Sequence, residues 1–254
     1  MRVRIMRKVL AFGFGILTTI CFAATSLYCV LFLADVLVPR TIDRGPSVSW
    51  PVAVAVDLAL VGLFAAQHSV MARAAFKRWW TRVIPPAIER SVYVLAACLA
   101  LALLVGLWLP LPDLIWSVTN PAGRILLSGL FWFGWLMVLI AGLLTNQAEM
   151  LGLQQISDAV HGRVLSPPTL NTSGLYRLVR HPIYVGSFIG FWATPDMTVG
   201  HLLFAVAATV YTVAGARLEE RDLVRTFGDG YRRYQRDVRM LLPIPRRAAR
   251  GRVR

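Results

Sequence analysis

Ile125-Leu126-Leu127-Ser128-Gly129-Leu130-Phe131-Trp132-Phe133-Gly134-Trp135-Leu136-Met137-Val138-Leu139-Ile140-Ala141-Gly142-Leu143-Leu144 contains no ionisable side chain. At about 1.5 Å per residue, a helix of this length reaches across the roughly 30 Å hydrocarbon core of a bilayer. Working outward, the run occupies about 124–145, and three others of spanning length lie at about 10–37, 51–71 and 89–109. Two further apolar pieces follow, at about 182–194 and 199–217. Thr194-Pro195-Asp196 between them signals a turn, because proline disfavours continuation of a helix. The first piece is too short for a straight span, so 182–217 reads as a helical hairpin. The fold expected is all-α: a polytopic membrane helical bundle, with about five transmembrane helices or four long spans plus the hairpin. It forms a single domain over 1–254.

The composition agrees. Hydrophobic residues make up 57% of the chain, charged residues only 16%, and mean hydropathy is +0.60, which excludes a typical soluble domain. The formal charge of +14 collects in loops and tails. Nothing basic stands apart from the apolar runs, so anionic lipid rather than nucleic acid is the expected partner. Arg2, Arg4, Arg7 and Lys8 precede the first span, and Arg73, Lys77, Arg78, Arg82 and Arg90 lie between the second and third. Arg163, Arg177 and Arg180 precede the hairpin, and a basic segment, 244–254, closes the chain. The alternate loops hold Arg40, Arg44 and Asp43, then Asp113, then Asp196. The positive-inside rule therefore places both termini in the cytoplasm. The run after Lys8 is too long for a signal peptide and reads as a retained span. Cys21, Cys29 and Cys98 sit in apolar runs and read as packing residues; no metal site is expected, since His161 and His201 lack ligand spacing.

Ionisable groups at a membrane edge are costly unless they serve a purpose. Arg180-His181-Pro182-Ile183-Tyr184-Val185-Gly186 opens the short apolar piece, and Leu218-Glu219-Glu220-Arg221 closes the last one. Pro182 suits the first turn of a helix, whose free N–H groups attract an anionic group. Tyr231 and Tyr234 follow at i, i+3 on an amphipathic segment. Cytoplasmic elements 146–181 and 218–243 would thus offer cationic, anionic and aromatic groups together. That mixture suits a zwitterionic, aromatic-bearing cofactor with a positive charge of its own.

Gly174-Leu175-Tyr176-Arg177-Leu178-Val179-Arg180-His181-Pro182-Ile183-Tyr184-Val185-Gly186, followed by Leu218-Glu219-Glu220-Arg221-Asp222-Leu223 and Gly228-Asp229-Gly230-Tyr231-Arg232-Arg233-Tyr234, resembles the isoprenylcysteine carboxyl methyltransferase superfamily. A closer resemblance, to the branch acting on methanethiol, rests on four stretches. They are Ala65-Ala66-Gln67-His68-Ser69 with Lys77-Arg78-Trp79-Trp80, Pro85-Pro86-Ala87-Ile88-Glu89-Arg90, Phe191 to His201, and Met240-Leu241-Leu242-Pro243. The resemblance implies a bacterial inner-membrane enzyme that uses S-adenosyl-L-methionine to methylate a small volatile thiol, giving dimethyl sulfide from methanethiol. It implies cofactor contacts at Tyr176, Arg180, His181, Pro182, Tyr184, Gly186, Glu219, Glu220, Tyr231 and Tyr234. The resemblance also implies a histidine, an aspartate and an arginine at the positions where this chain has Gln147, Glu149 and Gln154. Gln147 and Gln154 are therefore candidate substrate contacts.

A small thiol is mostly protonated at neutral pH, so a base is needed. His68, Glu149, His181 and Tyr184 are the candidates, and the residues alone do not choose among them. Blander readings stand beside these. His68 is equally an interfacial histidine, Tyr231 and Tyr234 an aromatic belt, and Glu219-Glu220 a charged helix end. Trp79-Trp80 reads as a belt rather than a cofactor box. Asp35 reads as solvated, while Asp57 lies deep enough to need a hydrogen-bond partner. Two rival functions also remain: a paralogue acting on another thiol, hydrogen sulfide, a selenol or a lipid-like acceptor, and a non-catalytic transport or respiratory-accessory protein.

Overall fold

The computed structural model describes residues 2–163 and 169–243, so the basic segment 244–254 lies outside the described residues. In chain order the helices are α1 (Arg2–Leu33), α2 (Trp50–Met71), α3 (Ala74–Trp80), α4 (Glu89–Leu107), α5 (Pro121–Leu143), α6 (Gln147–Met150), α7 (Leu153–His161), α8 (Pro182–Trp192), α9 (Val199–Phe227) and α10 (Asp229–Asp237). Two short strands, β1 (Leu114–Ser117) and β2 (Asp196–Thr198), and two 3-10 turns, Pro86–Ile88 and Gly174–Arg177, complete the list of elements among the described residues. Five helices are long and apolar enough to cross a membrane, and α8 is a shorter apolar helix of 11 residues. Large apolar side chains stay exposed along them, as at Leu10 (64%), Ile125 (74%) and Val210 (65%). Such surface is stable against lipid and not against water. The chain is an integral membrane protein built as a helical bundle.

The local signals explain the boundaries. Asn120 caps α5, its side-chain oxygen accepting from the N–H groups of Ala122 at 2.9 Å and Gly123 at 3.2 Å, with Pro121 in the first turn. α1 extends back over the basic N-terminus because Arg, Met and Lys are good helix formers. For the same reason α9 runs past the apolar stretch, through Glu219 and Glu220, to Phe227.

The all-α expectation holds, with the two short strands as a small addition to it. Ser117 pairs with Asp196, Trp116 with Met197 and Leu114 with Thr198, antiparallel and with one irregularity of register. Three residues are too few to show a period of two, and Asp196 reads only as part of a turn.

The chain divides into two compact units, one of 2–117, 146–163 and 196–207 and one of 118–145, 169–195 and 208–243. In the first, α4 packs on α1 and α2 around Tyr93, Val94, Cys98 and Leu151. Gly152, at φ +91°, brings the turn before α7 against Ser91, where a Cβ would come within 2.4 Å of the hydroxyl. Asp57 accepts from the Leu109 N–H at 2.9 Å, the partner its depth requires. Asp35 is not merely solvated: it accepts from Thr41 Oγ1 and, at 2.9 Å, from Arg44 Nε. In the second unit, α8 lies along α5. A Cβ on Gly186 would meet the Gly134 carbonyl oxygen at 2.6 Å, and one on Gly190 would meet the Trp135 ring at 2.8 Å. Gly186 and Gly190 are thus a small-xxx-small pair that lets two apolar helices touch backbone to backbone.

Candidate functional site

The second unit builds the site from three pieces of chain. Residues 179–181 run parallel to 239–240: Val179 and Arg239 form a bridge, the Arg180 N–H donates to the Arg239 carbonyl at 2.9 Å, and the His181 N–H donates to the Met240 carbonyl at 3.2 Å. Pro182 then begins α8. α9 supplies Glu219 and Glu220, which as neighbours on a helix point about 100° apart. α10 is short and amphipathic and buries Tyr231 and Tyr234.

Glu220 is the hub. Its Oε1 accepts from Arg180 Nε at 2.6 Å and from the Tyr231 hydroxyl at 3.3 Å, and lies 3.2 Å from His181 Nε2; Oε2 accepts from Gln235 Nε2 at 3.0 Å. The Arg180 guanidinium also donates through Nη1 to the carbonyls of Val238 at 2.5 Å and Gln235 at 3.3 Å. Arg180 is buried, so its charge needs these partners, and they fix it as a wall rather than a free cation.

Glu219 faces the other way. Its side chain is 46% exposed against 14% for Glu220. It accepts from the Tyr184 hydroxyl at 2.5 Å and lies 3.7 Å from His181 Nδ1. His181 stacks on Tyr184 with centroids 5.1 Å apart and planes 9° from parallel, and so sits between the two carboxylates. Tyr234 donates to the Tyr176 carbonyl at 2.5 Å. Burial, then Glu219, raises the Tyr176 phenol; burial, then Glu220, raises that of Tyr231; burial pushes Tyr234 up to about 12. All three phenols stay neutral at physiological pH, as donors and apolar faces.

These side chains enclose a cavity of about 220 Å³. Tyr176, Arg180, His181, Pro182, Tyr184, Glu219, Tyr231 and Tyr234 line it. Gly186 does not. Its close approach to Gly134 gives it a packing role in the contact of α8 with α5. Glu220 is likewise not among the lining residues and acts behind Arg180 and His181. Thr145, Asn171, Leu223 and Phe227 also line the cavity and carry no sequence signal beyond proximity to the motif. Gln235 and the Val238 carbonyl were equally unmarked.

The remaining candidates lie in the first unit. His68 is half-buried beside Tyr93, whose hydroxyl lies 3.0 Å from Nε2. Glu149 is exposed on α6, where its backbone N–H donates to the capping Asn146 side chain at 3.3 Å. Gln154 donates to Asp158 at 3.1 Å along α7, and Gln147 is half-buried at the start of α6. Trp79 and Trp80 stack on each other at 5.6 Å, with Trp79 exposed, as an interfacial pair would.

The phospholipid methyltransferase family matches residues 129–230, which include α8, α9 and both glutamates. A methanethiol S-methyltransferase of a Pseudomonas species is 51% identical over 90% of each chain. The protein of that name from Mycobacterium tuberculosis is 48% identical over 95% of this chain and 99% of its own, and that of Pseudomonas deceptionensis 48% identical over 85% and 82%. No solved structure matches significantly. Identity of this degree over nearly the whole length means that the chain belongs to the methanethiol S-methyltransferase family.

Proposed function

We propose that this enzyme transfers a methyl group from S-adenosyl-L-methionine to methanethiol, yielding dimethyl sulfide and S-adenosylhomocysteine, with the cofactor in the cavity of the second unit. The observation that carries the reading is the division of labour between the two glutamates. Glu220 neutralises Arg180, whereas Glu219 keeps a half-exposed carboxylate facing the cavity. The lining therefore presents negative charge beside aromatic faces, which complements a cationic ligand that bears an aromatic base. Glu219 and Tyr184 would hold its polar groups, and Tyr176, Tyr231 and Tyr234 its rings. When bound, the cofactor supplies an activated methyl carbon, so the protein's task is alignment and exclusion of water.

A lipid-like acceptor is the second reading, favoured by the name of the matched family. The departure at Gln154 gives it no support, because a side-chain pair with Asp158 accounts for it. Purified protein incubated with the labelled cofactor and a panel of thiols, hydrogen sulfide and phospholipids, followed by headspace and lipid-extract analysis, tests this. Dimethyl sulfide from methanethiol is expected; methyl label only in lipid would overturn it.

Location follows the same logic. Both termini in the cytoplasm of an inner membrane require an even number of traverses, which α8 as the partner arm of α9 would provide. The pairing of β2 with β1 supports this, since it ties the turn after α8 to the connection after α4. Arg217, Arg221 and Arg225 form an exposed stripe along an open depression near the end of α9, suited to anionic lipid.

A further inference from the structure

We infer that the open depression behind Glu220 seats one anionic phospholipid headgroup, its phosphate held between Arg217 and Arg221, and that this lipid supports the cofactor cavity on the other side of Glu220. The inference deepens the lipid contact proposed above, and its second half rests on the cofactor reading.

The depression measures about 470 Å³ and belongs to the second unit, lined by Arg217, Glu220, Arg221, Val224, Arg225 and Gln235. The first five share one face of α9, at the three- and four-residue spacings that make helical neighbours. Its three arginines are not equivalent. Arg225 donates to Asp222 at 3.2 Å, so its charge is already offset. Arg217 and Arg221 are exposed and make no hydrogen bond or ion pair among the described residues. A turn apart on a helix, like charges repel, and an anion between them turns the repulsion into attraction. Glu220 does not supply that anion, because its oxygens already accept from Arg180, Tyr231 and Gln235.

Position selects lipid as the source of the phosphate. The apolar stretch of α9 ends at Ala216, and Val210 before it is exposed, as a lipid-facing side chain is. At about 1.5 Å per residue, Arg217 lies roughly 1.5 Å beyond that edge, Arg221 about 7.5 Å and Arg225 about 13 Å. A headgroup layer is roughly 5–8 Å deep, so Arg217 and Arg221 fall inside it and Arg225 reaches past it. Each arginine near an anionic surface is worth roughly a fivefold gain in binding, so the pair prefers an anionic headgroup to a zwitterionic one by about 25-fold.

The depression and the cofactor cavity share a wall. Glu220 Oε1 accepts from Arg180 Nε at 2.6 Å and lies 3.2 Å from His181 Nε2, and both of those residues line the cavity. Gln235 donates to Glu220 Oε2 at 3.0 Å, and its carbonyl accepts from Arg180 at 3.3 Å. Arg217, three residues before Glu220, stands at ion-pair spacing from the same carboxylate. A phosphate that engages Arg217 removes this competitor and leaves Glu220 to Arg180 and His181. Lipid and cofactor then favour each other's binding, by the same factor in both directions.

The test uses full-length protein in nanodiscs of phosphatidylcholine alone or mixed with phosphatidylglycerol. Thermal unfolding is read by intrinsic fluorescence, and S-adenosylhomocysteine affinity by calorimetry. Phosphatidylglycerol is expected to raise the melting temperature by several degrees and the affinity several-fold. The double variant Arg217→Gln, Arg221→Gln loses both gains, whereas Arg225→Gln keeps them; cooperative melting in phosphatidylcholine alone shows that each variant is folded. Inorganic phosphate added to phosphatidylcholine nanodiscs gives neither gain. No gain in the wild type overturns the seat and the general lipid contact together. A loss in Arg225→Gln as large as in the double variant overturns the seat alone and leaves a diffuse attraction of the stripe to anionic lipid. Gains reproduced by inorganic phosphate would assign the depression to a soluble anion instead. A melting gain without an affinity gain removes the coupling. A protein that binds no S-adenosylhomocysteine in either membrane sinks the cofactor reading and the coupling with it, while the melting comparison still decides the seat.

Discussion

Adjacent Glu219 and Glu220 should fail in opposite ways when each is changed to glutamine. In Glu220→Gln, an NH₂ group replaces one oxygen among four donor-side neighbours: Arg180, His181, Tyr231 and Gln235. The Arg180 side chain is 6% exposed, so its charge loses a counter-ion where water cannot substitute. Removing one partner of such a pair costs about 3–5 kcal/mol when fully buried. Here Glu220 keeps slight solvent access and Arg180 keeps its two carbonyl acceptors, so about 3 kcal/mol is the working figure. At roughly 2–4 °C per kcal/mol for a chain of this size, the melting temperature falls by about 6–12 °C. Glu219→Gln touches a half-exposed group bonded to Tyr184, so stability changes by about 0.5 kcal/mol or less. Its cost appears instead as roughly tenfold weaker cofactor binding, about 1.4 kcal/mol. Thermal unfolding by intrinsic fluorescence and calorimetry with S-adenosylhomocysteine read the two quantities on the same samples. Equal melting shifts in the two variants, or weakened binding in Glu220→Gln with no change in melting, would refute the division into a structural and a ligand-facing carboxylate.

Other outcomes follow from the same geometry. Gly186→Val drives a side chain into the Gly134 carbonyl and should sharply reduce the monodisperse fraction on size exclusion in detergent, whereas Gly162→Ala on the open end of α7 should be milder. Burial raises the Asp43 carboxyl to about 6, above its ordinary 3.8, so its contribution is fully present below about pH 4 and is lost as pH rises through 6. Asp43→Asn, which still accepts from Thr198 Oγ1, should therefore melt higher than wild type at pH 8 and no higher at pH 4. Tyr234→Phe deletes a hydrogen bond to the Tyr176 carbonyl and should cost about 1 kcal/mol. Because the phenol titrates only near 12, the variant should leave the pH–rate profile between 6 and 9 unchanged.

The clustering of Arg180 and His181 with Glu219 and Glu220 was legible because a helical hairpin must bring its two ends together, and both pairs sit at those ends. The span positions were legible because lipid demands long apolar runs. Backbone-made features were not. The pairing of 179–181 with 239–240 uses N–H and carbonyl groups that every residue carries, so no side chain there announces the pairing in advance. The packing role of Gly186 was hidden for a related reason: a glycine inside a functional motif looks like ligand approach until its neighbour, Gly134, is seen across the helix contact. Tyr93 was hidden in another way, as one aromatic within an apolar span, and only its distance to His68 singles it out.

The parallel pairing of 179–181 with 239–240 also bears on timing. Every wall of the cavity that α10 and the segment after it provide leaves the ribosome after α1 to α9 have been made. Until then Arg180 has no carbonyls from Gln235 and Val238, and Glu220 lacks Tyr231 and Gln235. On the function proposed, a nascent chain already threaded into the bilayer lacks walls that its cofactor would need, and competence would arrive in one late step. Chains cut short before residue 229 are therefore expected to insert yet not to bind S-adenosylhomocysteine, which membrane fractionation and calorimetry would check.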